Sequence, residues 1–219
     1  PQIAGIYNIV IIITEFRNGI KMGTVIRDLQ IIVDDTRNSP PRLNVPLQIC
    51  RIAGDSISIT ATATDPDVHD IVTLSANGAP FIATVNPATF STAAPGNPTS
   101  GIFTWKTTCD HLLKNNYLVV FNAIDNFQGP PLTDSKTLSI KLLAPPPKNF
   151  NATFNASNKT VNMRWDSLYA CSNNSRFLEF SVWRKRGCGS ILDTCNSDLS
   201  AMGYEKIGTT KNYSYLDNT

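Results

Sequence analysis

Short strand-like segments separated by turn-forming residues run through the whole chain, and this pattern limits what the chain can fold into. In the clearest segment, Ser56–Thr64, small apolar and polar residues alternate with a period of two. Such alternation is typical of a β-strand with one buried face. Clusters of Pro, Gly, Asn and Asp lie between the segments, and these residues favour turns. The pattern therefore predicts an all-β protein.

The first 33 residues predict a β-hairpin. Ile6–Arg17 and Ile20–Val33 are rich in β-branched residues, and Asn18-Gly19 lies between them. Asn-Gly favours the type I′ turn, in which both central residues have positive φ. An isolated hairpin is marginally stable in water. We therefore interpret residues 1–37 as the C-terminal hairpin of a preceding β-sandwich that is truncated in this sequence.

Two proline-rich linkers divide the remainder. Pro40-Pro41 ends the first and Ala144–Pro147 forms the second. Residues 38–143, the middle region, predict a β-sandwich, and residues 144–219, the last region, predict a second sandwich that is truncated at its C-terminal end. A turn is predicted at Asn77-Gly78, and a single helical turn at Asp110–Leu113. The strand candidates are Leu43–Cys50, Ser56–Thr64, Ile71–Ser75, Thr84–Phe90, Gly101–Lys106, Asn116–Ile124, Thr137–Leu143, Phe150–Phe154, Thr160–Trp165, Leu178–Lys185 and Tyr204–Ile207.

Composition and charge exclude several classes of function. The 219 residues include 19 Lys and Arg against 17 Asp and Glu, a net charge of +2, which is too weak for a nucleic-acid surface. No apolar run approaches the roughly 20 residues of a membrane helix. The sequence has no G-x-S-x-G elbow, P-loop or dinucleotide fingerprint. We predict a non-enzymatic chain with no catalytic residue, no required cofactor, no nucleic-acid partner and no membrane span.

The five cysteines indicate an oxidising compartment rather than a zinc site, because no C-x₂-C pair exists. A bond between Cys50 and Cys109 would close a loop of about 60 residues and stabilise the fold by on the order of 4 kcal/mol. Cys188 and Cys195 are close enough in sequence for a local bridge. Cys171 is left to pair with Cys195 or with a cysteine outside this sequence.

Several oxygen-bearing side chains predict a candidate calcium site. Asp65, Asp67 and Asp125 follow strand ends, and Asp34, Asp35 and Asn38 form a weaker set in the first linker. Calcium takes 6–8 oxygen ligands. The alternative is ordinary turn chemistry, in which Asp and Asn bond their own backbone.

The three tryptophans are expected to be core residues. One tryptophan falls in the middle region at Trp105, and two fall in the last region at Trp165 and Trp183. The alternative is that they form a stacking platform for sugar rings.

A succession of motifs begins with Tyr7-Asn-Ile-Val-Ile-Ile-Ile-Thr-Glu-Phe-Arg-Asn-Gly-Ile-Lys-Met-Gly-Thr-Val-Ile-Arg-Asp-Leu-Gln-Ile31. It continues with Asn38-Ser-Pro-Pro41, Asp65-Pro-Asp67, Gly101-Ile-Phe-Thr-Trp-Lys-Thr-Thr-Cys109, Tyr117 with Asp125-Asn126, Val182-Trp-Arg-Lys-Arg-Gly-Cys188 and Gly203-Tyr-Glu-Lys-Ile207. Together these motifs resemble large surface proteins of Bacteroidetes, the gliding-motility-associated proteins that the type IX secretion system exports. The middle region is similar to cadherin-like and immunoglobulin-like repeats, and the last region is similar to fibronectin type III.

The resemblance implies a cell-surface location on the outer membrane exterior, and calcium binding by Asp65, Asp67 and Asp125. The expected function is that of a rigid stalk, adhesin or fibre component linked to gliding motility or adhesion. Its expected partners are other domains of the same long chain, surface or secretion components, and a glycan or protein ligand. The alternatives are an accessory region of a secreted enzyme and a carbohydrate-binding module.

Overall fold

The computed structural model describes residues 3–34, 37–187, 195 and 198–218, which form strands joined by loops and two 3₁₀ turns. The chain separates into two compact units, one ending at Ser39 and the other beginning at Pro40. In the described ranges, no helix is long and apolar enough to cross a membrane.

The strands are β1 (Gly5–Arg17), β2 (Ile20–Val33), β3 (Arg42–Asn44), β4 (Gln48–Ile52), β5 (Ser56–Thr64), β6 (Thr73–Gly78), β7 (Thr89–Thr92), β8 (Thr99–Lys106), β9 (Tyr117–Ile124), β10 (Thr133–Leu143), β11 (Asn151–Asn155), β12 (Thr160–Arg164), β13 (Phe180–Arg184), β14 (Glu205–Thr210) and β15 (Ser214–Asp217). The 3₁₀ turns are Ala79–Ile82 and Cys109–His111.

The first unit is the predicted hairpin. β1 and β2 pair antiparallel, and Asn18 and Gly19 have φ values of 51° and 77°, as a type I′ turn requires. Ile12 and Ile13 are 63% and 59% exposed, and successive strand residues point to opposite faces. Both faces of the ribbon therefore carry exposed apolar side chains. That this hairpin completes a preceding sandwich stays a prediction.

The second unit begins with a sandwich of two four-stranded sheets. One sheet has the order β3-β5-β8-β7 and the other the order β4-β10-β9-β6, with β4 parallel to β10. Counted as two halves of one first strand, β3 and β4 give the A-B-E-D and C-F-G orders of an immunoglobulin-like domain. The prediction of an all-β protein with sandwich architecture is confirmed.

The core of this sandwich lies between its two sheets. The alternation in β5 buries Ile57, Ile59, Ala61 and Ala63, while the residues between them are exposed. Three phenylalanines from different strands meet edge to face across the core, with centroid separations of 5.4 Å for Phe90–Phe121 and 6.2 Å for Phe103–Phe121. Such aromatic pairs add about 0.5–1.5 kcal/mol each beyond the area that they bury.

Tyr117 forms a tyrosine corner at the start of β9. Its hydroxyl donates a hydrogen bond of 2.9 Å to the backbone carbonyl of His111, six residues upstream. The same arrangement marks immunoglobulin domains, where a cysteine follows the tyrosine by two residues. Here that position is Val119, which is fully buried. An apolar side chain therefore replaces one half of the inter-sheet disulfide.

The second unit continues into two smaller sheets, β11-β12-β15 and β13-β14. Met163 and Trp165 from the first sheet region contact Phe180 and Val182 of β13 in a second apolar cluster. Phe180 and Val182 share one face of β13, as their spacing predicts. The division of the chain at residues 143 and 144 stays a prediction.

Some segments differ from the sequence-based expectations. The turn predicted at Asn77-Gly78 is wrong, because β6 continues through Gly78 and pairs it with Val119. A Cβ atom at Gly78 would lie 2.2 Å from the carbonyl oxygen of Leu118. Only glycine therefore fits the close approach of β6 to β9 at this position. The helical turn predicted at Asp110–Leu113 occurs one residue earlier, at Cys109–His111.

Replacing Tyr117 with Phe is expected to lower the free energy of unfolding by about 1–3 kcal/mol, because the buried His111 carbonyl loses its donor. Chemical denaturation followed by Trp fluorescence measures this change. Tyr204→Phe is the matched control, since the Tyr204 hydroxyl makes no hydrogen bond in the described residues. Equal losses in the two variants would contradict the role of the tyrosine corner.

Candidate functional sites: a disulfide-bonded junction and an acidic cluster

The core of the first sandwich fixes the 3₁₀ turn Cys109–His111. The backbone N–H of Thr108 donates to Nδ1 of His111 at 2.9 Å, so Nε2 carries the ring proton. That nitrogen lies 2.7 Å from the carbonyl oxygen of Val85. The His111 ring is buried and packs 4.9 Å from the Trp105 ring. The contacts of His111 with the core therefore fix the turn and Cys109.

A disulfide joins this turn to the loop between β12 and β13. Cys109 is bonded to Cys171, which lies 62 positions later in sequence, and the two Cα atoms are 5.6 Å apart. Cys171 is 3% exposed. The predicted bond between Cys50 and Cys109 is wrong, because the Cys109 sulfur already forms its one disulfide with Cys171. The expected partners of Cys171 are corrected in the same way.

Hydrogen bonds support the disulfide on the same side. One guanidinium nitrogen of Arg176 donates to the carbonyl oxygens of Asp110 and Leu112, at 2.6 and 3.1 Å. The side-chain amide of Asn174 donates to the Asp110 carboxylate at 2.7 Å. A charged donor strengthens such bonds. The loop after β12 thus holds the turn after β8 by one covalent bond and three hydrogen bonds.

A second connection involves β10. The Lys141 ammonium donates to the carbonyl oxygen of Cys195 at 2.8 Å, and Cys50, Lys141 and Cys195 line one cavity of about 290 Å³. Cys188 lies outside the described residues. The predicted Cys188–Cys195 bridge therefore stays a prediction.

Three aspartates meet where β5 ends. One carboxylate oxygen from each of Asp65, Asp67 and Asp70 lies within 4.8 Å of the others. Asp65 is only 7% exposed. Its Oδ1 accepts a hydrogen bond from the Asp67 backbone N–H at 2.8 Å, whereas its Oδ2 is buried without a hydrogen bond, as is Oδ2 of Asp70. Buried carboxylate oxygens without donors are the ligands that a hard cation takes.

Amide side chains hold the loop that carries these aspartates. Asn97 accepts a hydrogen bond from the Asp65 backbone N–H at 2.9 Å and donates to the carbonyl oxygens of Asp65 and Asp67, at 3.0 and 3.3 Å. Asn126 accepts from the Ile71 N–H at 2.7 Å. These four hydrogen bonds hold the backbone of the loop in place beside the start of β8.

The charges in the cluster oppose one another. Burial raises the pKa of Asp70, and the carboxylates of Asp65, Asp125 and Asp67 raise it further, while His69 lowers it. A carboxyl group whose pKa is raised by folding stabilises the folded state when the pH is below its ordinary pKa. That stabilisation is lost as the pH rises through the raised pKa. At neutral pH the cluster is therefore a site of repulsion that a divalent cation would relieve.

The sequence-based calcium ligands are partly brought together. Asp65 and Asp67 share the cluster, and Asp125 acts on Asp70 through its charge. Sequence reasoning missed Asp70, although its position three residues after Asp67 is a usable signal. Of the weaker set, Asp34 and Asn38 belong to the first unit and Asp35 lies outside the described residues. That set stays a prediction.

Two of the three tryptophans are core residues, as the sequence predicts. Trp105 and Trp165 are buried core residues, and Trp165 lies 5.2 Å from Phe180, centroid to centroid. Trp183 is half-buried on β13. Neither of the buried rings has a face available for stacking on a sugar.

No family model matches the chain, and no curated protein matches it significantly. Among solved structures, it is similar to the sialic acid binding region of a Streptococcus sanguinis SK1 adhesin bound to 3'sLn, with 13% identity and a TM-score of 0.38; the match covers 59% of this chain and 45% of that one. The BIgI domain of beta protein from S. agalactiae bound to CEACAM1 is 19% identical, with a TM-score of 0.32 and coverages of 47% and 98%. An endo-fucoidan hydrolase of glycoside hydrolase family 107 is 11% identical, with a TM-score of 0.34 and coverages of 72% and 21%.

Calcium is expected to raise the melting temperature of the native chain, by the equivalent of about 2.7 kcal/mol at a hundredfold excess over Kd. Asp65→Asn and Asp70→Asn are expected to abolish that rise. In EDTA, Asp70→Asn is expected to be no less stable than the native chain, because the substitution removes repulsion. Scanning calorimetry of the three chains, each in calcium and in EDTA, measures these changes.

The matched control is Asp28→Asn, which removes one exposed carboxylate from the hairpin. It is expected to keep the full calcium response. A native melting temperature that is the same in calcium and in EDTA would show that the cluster holds no cation.

Proposed function

We propose that the chain is a non-enzymatic segment of a secreted cell-surface protein, in which successive β-sandwiches form a stiff stalk. The segment projects an adhesive or fibre-forming part of a longer polypeptide from the cell. The observation that carries the proposal is the Cys109–Cys171 disulfide. A covalent bond between the first sandwich and the loop after β12 restricts the relative motion of the two parts. Such a restriction favours a stiff chain over one with freely moving domains.

The surroundings of the disulfide support a fixed junction. Cys109 belongs to a turn that is fixed by the core. Arg176, in the loop after β12, donates hydrogen bonds to that turn and to the residue that follows it. Between the sandwiches, Pro145, Pro146 and Pro147 restrict the backbone of the linker to extended conformations. Bending about this linker would break the hydrogen bonds that the Arg176 guanidinium donates to the turn. The disulfide would still limit how far the two loops could move apart.

A bound cation would add stiffness at the acidic cluster. Asp65, Asp67 and Asp70 supply the carboxylates, with Asp125 beside them. Calcium would tie the end of β5 to the loop that follows it and remove the repulsion between these groups. This part of the proposal concerns calcium alone and is independent of the disulfide.

An extracellular setting fits the disulfide, because such bonds persist where the surroundings are oxidising. Export by the type IX secretion system, display on the outer membrane exterior and a link to gliding motility follow from the resemblance of the sequence motifs. They complete the proposal of a bacterial surface protein.

Residual dipolar couplings measured by NMR test the stiffness directly. In the oxidised native chain, the two sandwiches of the second unit are expected to share one alignment tensor. Cys109→Ser with Cys171→Ser is expected to give them different tensor magnitudes, because the junction gains independent motion. Arg176→Lys, which keeps the charge and the disulfide, is the matched control and is expected to have a smaller effect. Different tensors in the native chain would contradict a stiff stalk.

Protease treatment of intact source cells tests the location. Peptides of this chain are expected in the supernatant of unbroken cells, identified by mass spectrometry. Peptides from neighbouring parts of the same polypeptide would show whether an enzyme domain accompanies the stalk. Release that requires lysis would contradict surface display, and a cytoplasmic marker protein controls for leakage.

A further inference from the structure

The outer face of the sheet β11-β12-β15 carries a continuous polar surface. In the pairing of these strands, Asn151 lies opposite Arg164 and Thr153 lies opposite Asn162. Directly paired residues point to the same face of an antiparallel sheet. Met163 and Trp165, which alternate with Arg164, point into the core. The polar residues therefore face solvent, where Asn151, Thr153, Asn155, Asn162 and Arg164 line a groove of about 350 Å³.

Arg164 differs from Arg176 and Arg184, whose guanidinium groups are bonded within the chain. Arg176 bonds two carbonyl oxygens at the junction, and Arg184 pairs with Asp217 at 2.9 Å. In the described part of the chain, the guanidinium of Arg164 makes no hydrogen bond or ion pair, and neither does that of Arg186. A planar guanidinium held on a strand and bordered by amides is suited to bidentate binding of a carboxylate.

The neighbours of Arg164 supply further hydrogen-bonding groups. The hydroxyl of Thr153 donates to Oδ1 of Asn151 at 3.1 Å, which leaves the Asn151 amide nitrogen available as a donor. The side chain of Asn162 makes no hydrogen bond to the described residues. An amide offers both a donor and an acceptor. These are the groups that bind the hydroxyls of a sugar.

An apolar side chain adjoins the polar groove. Leu216 of β15 lies opposite Asn162 and is 52% exposed, on the same face as Arg164. Adjacent strands are about 4.8 Å apart and alternate residues of a strand about 6.8 Å apart. The patch is therefore roughly 10 Å by 7 Å. It presents charged, amide and apolar groups side by side.

We propose that this face binds a carboxylated saccharide. Arg164 binds the sugar carboxylate, Asn151 and Asn162 bind hydroxyls, and Leu216 contacts the C–H face of the ring. A neutral sugar would leave the guanidinium without its partner. This site gives the stalk a ligand of its own and does not depend on the disulfide or on the cation.

NMR titration of the full-length native chain tests the proposal with trigalacturonate and sialyllactose. Their neutral counterparts are methyl-esterified trigalacturonate and lactose. At least one acidic probe is expected to shift the Arg164 Nε–H and Asn162 side-chain signals, and to bind at least tenfold more tightly than its neutral counterpart. Arg164→Gln and Asn162→Ala are each expected to weaken that binding at least tenfold.

Arg51→Gln is the matched control, because it removes one positive charge from an exposed arginine of the first sandwich that bonds only a neighbouring carbonyl. It is expected to change the affinity by less than twofold. Cys109→Ser with Cys171→Ser is expected to retain binding, which separates this site from the stalk. The proposal is overturned if neither acidic probe shifts these signals, if the neutral probes bind equally well, or if Arg164→Gln retains the affinity.

Discussion

The covalent bond between Cys109 and Cys171 is the constraint on which the arrangement of the second unit depends. It is effective because the turn that bears Cys109 is itself fixed by buried groups. His111 bonds both Thr108 and Val85, and the Tyr117 hydroxyl bonds the His111 carbonyl. A feature common to immunoglobulin-like domains, the tyrosine corner, thus supports a cross-link that leaves the domain. The packing of the first core therefore determines the position of the disulfide that links it to the loop after β12.

Local patterns predict the elements of this fold well because the information for them is local. The alternation of Ser56–Thr64 and the Asn18-Gly19 turn both act over a few residues, and both occur as predicted. The partner of Cys109 depends instead on how two sandwiches meet, 62 positions apart in sequence. Pairing cysteines within each predicted domain therefore gave the wrong bond. Nothing in cysteine spacing reports a contact that only the folded surfaces create.

The acidic cluster shows the same boundary between local and long-range information. Asp65 and Asp67 were recognisable because both lie in one turn, whereas the part played by Asn97 required β8 to be placed beside that turn. Asp70 joins them because the chain folds back, with its N–H bonded to the Asp67 carbonyl at 2.9 Å. The burial that leaves carboxylate oxygens without donors is a property of the fold. The sequence predicted a candidate calcium site that includes Asp65 and Asp67, but the burial of Oδ2 of Asp65 and of Asp70 is visible only in the folded chain.

The position of the disulfide also determines how the chain would respond to mechanical tension. A pull along the polypeptide would pass from β8 directly through the sulfur atoms to the loop before β13. The residues between Cys109 and Cys171 include β9, β10, the proline linker, β11 and β12, and they would carry none of the force. Fully extended, those residues would add roughly 200 Å of contour length. That length is not available until the bond is reduced, so tension would stretch an oxidised chain far less than its sequence allows.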